Sequence, residues 1–125
     1  MTPVAELTNT LSVAGQIQPE DVKALAEHGY TMIICNRPDD EEPNQASMDA
    51  IEAACNLAGI QFVRYPVNAV SFPGDDLDAM DEAMNGEAKA LAYCRSGARS
   101  ANLWVATRAG DERLAAAERA QQFGF

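Results

Sequence analysis

Apolar runs alternate with segments whose apolar residues recur at helical spacing. Residues 11–17 alternate loosely and predict a first strand, with Gly15 as a bend. Residues 31–35 (TMIIC) form a continuous, partly β-branched apolar run, the mark of a strand buried on both faces. Residues 61–67 and 89–93 predict two more strands. Between them the period changes. Pro19, Glu20 and Asp21 open a helix carrying Val22, Leu25 and Ala26, which Gly29 stops. A helix over about 46–58 turns Met48, Ile51, Ala54, Cys55 and Leu57 inward and closes at Gly59. Asp75 or Asp76 caps a helix carrying Leu77, Met80 and Met84. The last segment breaks at Gly110 into two helices, with Leu114 and Phe123 as the large apolar anchors of the second.

Strands separated by helices imply right-handed βαβ units. The expected fold is one α/β domain over residues 1–125, with a central, mostly parallel sheet of four to five strands and helices on both faces. In such folds ligands sit beyond the carboxyl ends of strands. Two strand ends carry suggestive chemistry, Asn36-Arg37 and Cys94 onward, and both should open on the same edge.

Composition narrows the partners. Nine basic residues against nineteen acidic give a net charge of −10, which disfavours broad contact with nucleic acid or an anionic membrane surface. A small anion therefore needs a local positive site. Three cysteines without a CxxC spacing argue against a disulfide framework and for a reducing compartment. The single histidine, His28, leaves no basis for a His-built metal centre, and no metal or cofactor is expected. No apolar run is long enough to cross a bilayer and no leader is evident, so a cytoplasmic location is the expectation.

The chemistry gathers in residues 93–100, YCRSGARS. Cys94 ends an apolar strand, Arg95, Ser96, Gly97 and Ala98 form a small-residue loop, and Arg99 and Ser100 open a helix. Loop amides and a helix N-terminus attract negative charge and favour the thiolate, the nucleophilic form of cysteine. Arg99 supplies a planar fork of donors for an oxyanion. Arg95 is a candidate contact for substrate or acceptor, and Asn36 and Arg37 are candidate supporting residues behind the site. The other motifs read as structural. Cys35 and Cys55 fall on apolar faces as core, Asp75 and Asp76 cap a helix, and Trp104 packs. His28 complements a helix C-terminus, and residues 39–42 (DDEE) form a solvated charge run.

Residues 94–100 resemble the active-site loop of single-domain rhodaneses, whereas the βαβ order around them resembles dual-specificity cysteine phosphatases. Together with Gly15-Gln16 and residues 36–39 (NRPD), the chain resembles the phosphatase-like domain of the bacterial beta-lactamase-hydrolase-like family. That resemblance implies a cysteine-phosphatase-like fold and Cys94 as nucleophile. It also implies the amides from Arg95 to Arg99 as oxyanion donors, Arg99 as the anion-binding arginine and Ser100 as a hydrogen-bond partner of the sulfur.

The chain departs from the phosphatase pattern in three ways. Tyr93 stands where those enzymes have histidine, four residues rather than five separate Cys94 from Arg99, and the loop beginning at Asn68 has no acid near its start. Sulfur transfer needs no such acid, because its leaving group is already stable as an anion. The leading expectation is therefore a sulfurtransferase working through a Cys94 persulfide, with a small oxyanion or persulfide substrate and an acceptor thiol. A cysteine-dependent phosphatase and a non-catalytic anion-binding or persulfide-binding module stay open as alternatives.

Overall fold

The computed structural model describes residues 3–125. Its centre is a five-stranded sheet: β1 (Val4–Glu6), β2 (Leu11–Ala14), β3 (Met32–Cys35), β4 (Gln61–Arg64) and β5 (Ala90–Tyr93), in the order β1-β2-β5-β3-β4. The last four are parallel, and β1 pairs antiparallel with β2 at the edge. The parallel strands were legible from their apolar runs. The three-residue β1 was not, because it is too short to show alternation and carries one polar residue.

Five helices connect and cover the strands: α1 (Asp21–Glu27), α2 (Met48–Ala58), α3 (Leu77–Met84), α4 (Ala98–Thr107) and α5 (Gly110–Gln121). α1 and α2 bury Val22, Leu25, Ile51 and Cys55 against Ile33, Leu91 and Tyr93 on one face. α3, α4 and α5 bury Met80, Met84, Leu103, Ala116 and Ala120 against Leu11, Val13, Ile34 and Ala92 on the other. Successive residues of β3 and β5 thus serve opposite cores, which is why both strands read as unbroken apolar runs.

Two inward assignments are corrected. Leu57 is 92% exposed, because α2 buries the narrower stripe Met48, Ile51 and Cys55. Leu114 is 66% exposed and Phe123 is also partly exposed, because α5 approaches its neighbours through the small residues Ala116 and Ala120. Alanines on the inner face let the helices come close, whereas a leucine there would hold them apart. His28 and Trp104 behave as their positions suggest. His28 Nδ1 donates to Ala24 O at the end of α1 (2.7 Å), and Trp104 is buried with its Nε1 donating to Asn85 Oδ1 (3.0 Å).

The register brings the chemistry to one edge. Ala14, Tyr93 and Cys35 stand level across β2, β5 and β3, with Arg64 beside Cys35 on β4. Ladder bonding continues one step past the strands: Cys94 N donates to Ala14 O (3.2 Å), Asn36 N to Tyr93 O (2.9 Å) and Val67 N to Asn36 O (3.1 Å). The segments starting at Gly15, Asn36 and Cys94 therefore leave the sheet together, at the carboxyl ends where such folds place ligands.

Candidate active site

The loop from Cys94 to Arg99 turns β5 directly into α4. Gly97 is the pivot: its φ of 96° lies in the left-handed region that glycine adopts without steric cost. There its N–H faces back, donating to Cys94 Sγ at 3.1 Å. A Cβ at Gly97 would also stand 3.0 Å from the Phe125 ring, so the C-terminal aromatic closes the loop from behind. Cys94 is 1% exposed, at the floor of the turn.

Ala98 N–H, at the start of α4, bonds Ser96 Oγ (3.4 Å). Ser100 is a further correction: its hydroxyl is buried without a hydrogen-bond partner, so the expected bond to Cys94 is not made. Arg95 is largely exposed and pairs with Glu42 (Nε–Oε1 3.1 Å).

Arg99 is fixed by backbone and side chain together. Its Nη1 donates to Val67 O (3.0 Å) and Asn36 O (3.4 Å). The same guanidinium pairs with Glu41, at 3.2 Å from Nη1 to Oε2 and 3.3 Å from Nη2 to Oε1. Asn36 is buried and ties the edge together, its Nδ2 donating to Tyr65 O (3.1 Å) while its Oδ1 has no partner. Arg37, only 3% exposed, donates from Nε to Glu41 (2.9 Å), from Nη2 to Glu42 (2.6 Å) and from Nη1 to Gln16 Oε1 (3.0 Å). A charge this buried requires such partners.

Glu41 and Glu42 lie in an exposed charge run, as their sequence predicts, but they do not stand free in water. They are ligands to three arginines, and they are the site residues that sequence reasoning missed. Asp39 stays exposed but accepts from Met48 N (2.9 Å) at the start of α2. Burial works against ionisation of Glu41, but hydrogen bonds from Arg37 and Arg99 overcome it and hold the carboxyl below its ordinary value. The signal that could have found these acids was topological: residues after β3 must share an edge with the arginines after β5.

Cavities flank the loop. One of about 480 Å³ is lined by Asn68, Ala69, Phe72, Arg99 and Asn102. Another of about 450 Å³ runs past Gly15, Arg95, Ser96 and Phe125. Asp76 stays outside the chemistry as the cap of α3, its Oδ1 accepting from Ala79 N (3.1 Å). Among the described residues, no group of three or more His, Cys, Asp or Glu side chains could hold a metal ion, and no helix is long and apolar enough to cross a membrane.

A cysteine at the turn from the central strand, a loop amide on its sulfur and an arginine opening the next helix, within this sheet order, define a cysteine-phosphatase-like α/β domain. Residues 4–111 match the family described as beta-lactamase hydrolase-like protein, phosphatase-like domain, and the chain belongs to that family. A beta-lactamase hydrolase-like protein of Xylella fastidiosa (strain Temecula1) is 33% identical over 112 residues, covering 89% of this chain and 26% of the relative. The chain thus spans about a quarter of the length of the curated relatives it matches. The crystal structure of a proposed phosphatase from Neisseria meningitidis Z2491 is 31% identical, with a TM-score of 0.72, covering 93% of this chain and 87% of the other. TpbA of Pseudomonas aeruginosa, crystallised with phosphotyrosine, shares the fold at 17% identity and a TM-score of 0.63, covering 94% of this chain and 71% of the other.

Proposed function

We propose that this domain is a cysteine-dependent, phosphatase-like hydrolase acting on a phosphoester with a good leaving group. The phosphoryl oxygens sit against Arg99 and the loop backbone, and Cys94 Sγ attacks phosphorus. An S–P bond forms, the ester P–O bond breaks, and water later cleaves the phosphocysteine to free phosphate and regenerate the thiolate. The observation that carries this is the pairing of Gly97 N–H on Cys94 Sγ with an Arg99 guanidinium fixed by Val67 O and Asn36 O. The family and fold support it, and they displace sulfur transfer as the leading account.

The leaving group follows from the surroundings. Asp76 is committed to capping α3, and Glu41 is held ionised between two arginines, so neither is a ready proton donor at neutral pH. Aryl phosphates, whose phenolates depart with less need of a proton, fit best, and Phe72 beside Arg99 gives the ring an apolar wall. Sulfur transfer is the second account. It is favoured by the four-residue spacing between Cys94 and Arg99, and it needs no proton donor, since sulfite or a thiolate leaves as an anion.

Purified protein is given an aryl phosphate in one assay and thiosulfate with cyanide in another, each beside Cys94→Ser. Phosphate release that disappears in Cys94→Ser, without thiocyanate, is the expected result. Cys94-dependent thiocyanate without phosphate release would overturn it in favour of sulfur transfer. Neither product, with phosphate still protecting Cys94 from alkylation, would leave a binding module.

A further inference from the structure

The arginine that would take a substrate oxyanion already holds one of the chain's own. Both terminal nitrogens of Arg99 reach Glu41, Nη1 to Oε2 at 3.2 Å and Nη2 to Oε1 at 3.3 Å. This two-point approach is the geometry with which a guanidinium grips a carboxylate or a phosphate. Each partner's side chain is 23% exposed, so the pair is neither sealed in the core nor loose in solvent.

The backbone around Glu41 is shaped to make the contact. Asp40 and Asn44 have φ of 63° and 64°, non-glycine residues in the left-handed region on either side of Glu41, Glu42 and Pro43. Such conformations persist where the surroundings hold them. Here the holds are Glu42 on Arg37 and Arg95, Asp39 on the start of α2, and Gln45 Nε2 donating to Pro38 O (2.9 Å). The strap is anchored at both ends, while its tip rests on Arg99 through Glu41 alone among these acids. Arg37 completes the arrangement: its Nε donates at 2.9 Å to Glu41 Oε1, the same oxygen that Arg99 Nη2 reaches at 3.3 Å.

We propose that Glu41 is an internal competitor for the oxyanion site, lying on Arg99 in the free protein and giving way to the substrate's phosphoryl group as it binds. The proposal rests on Arg99 being the anion-binding arginine. When Glu41 yields, Arg37 keeps it paired, so no partly buried carboxylate is stranded. The contact makes Glu41 a threshold on the site: a ligand must displace a carboxylate already in place, which lowers the apparent affinity of every anion by the same factor, so only anions that bind Arg99 strongly fill the site.

Calorimetric titration with inorganic phosphate tests this on the wild-type chain and on Glu41→Gln, which keeps the shape of the side chain but removes its charge. Phosphate is expected to bind Glu41→Gln roughly fivefold more tightly, the scale of one partly exposed ion pair. Equal or weaker binding by the variant overturns the proposal and makes Glu41 a positioning residue for Arg99. A second measurement uses the wild-type chain alone: on phosphate titration, the carboxyl-carbon NMR resonance of Glu41 should move in step with occupancy. A Glu41 resonance that stays still while phosphate binds also overturns the proposal. If phosphate binds neither protein, Arg99 is not the anion site and the Glu41 proposal falls with it. If it binds both equally, the anion site stands and only the Glu41 proposal fails.

Discussion

Two loops meet over the carboxyl edge of the sheet, and they are built on opposite terms. The one after β5 is short and made of small residues, and its backbone does the positioning: Gly97 at φ 96° places an N–H on Cys94 Sγ. The one after β3 is longer and charged, and its side chains do the positioning: Glu41 and Glu42 bridge Arg37, Arg95 and Arg99. A backbone device leaves a local mark in the sequence, because only certain residues tolerate the conformation. A side-chain network leaves none, because an acid beside a buried arginine and an acid in water are the same letter.

That difference yields experiments ranked by expected size. Cys94→Ser should lower aryl phosphate turnover by about a thousandfold or more, since a serine hydroxyl is a far weaker nucleophile at neutral pH. Circular dichroism should show the fold unchanged. Residual turnover near the wild-type rate would remove the cysteine loop from the chemistry.

Next in size is Arg37→Leu, aimed at the charged loop. It leaves Glu41 and Glu42 without their buried partner and should cost about 3 kcal/mol in urea unfolding, the low end for a broken buried pair because both acids reach solvent. A loss below about 1 kcal/mol would mean the network is no more than surface pairing.

The alkaline limb of stability tests the core behind the loops. Burial, with Glu52 adding to it, pushes the Cys55 thiol from 9.0 to about 11, and burial also raises Cys35 and Tyr93. A folded-state pKa raised above the unfolded one gives stability that is complete below the unfolded value and is lost as pH rises through the folded value. Stability should therefore hold up to about pH 9 and fall between 9 and 11, and Cys55→Ala should flatten part of that fall. Glu41 has the opposite sign. Its lowered pKa gives stability present above the ordinary value of 4.5 and lost as pH falls below it.

The smallest effect belongs to Asp39→Ala. It removes the carboxylate that accepts from Met48 N, and the loss should be about 1 kcal/mol, typical of a helix N-terminal cap. No change in thermal midpoint would show that Asp39 does not help seat the strap.

These contrasts explain what the sequence could and could not show. Four strands and the helices between them were legible because apolar period and punctuation act locally. The candidate nucleophile and arginine stand out in the sequence because the glycine, serines and arginines that follow Cys94 make poor core. Ser100 misled because its place in the motif does not reveal that α4 turns its hydroxyl into a buried site without a partner. Leu57 and Leu114 misled because hydrophobicity marks a residue as able to be buried, and only the neighbouring helix decides which side of α2 or α5 is covered. The role of Glu41 depends on Arg99, a residue far along the chain that only the β3–β5 pairing brings near.

The most direct test of the central claim is to trap the intermediate. Protein mixed with an aryl phosphate is quenched in acid during turnover, and its peptides are read by mass spectrometry. A phosphoryl group on the peptide carrying Cys94, absent from Cys94→Ser, is the predicted result. Turnover that persists without any adduct on Cys94, or a persulfide there after thiosulfate with no phosphoryl adduct from the ester, would contradict it.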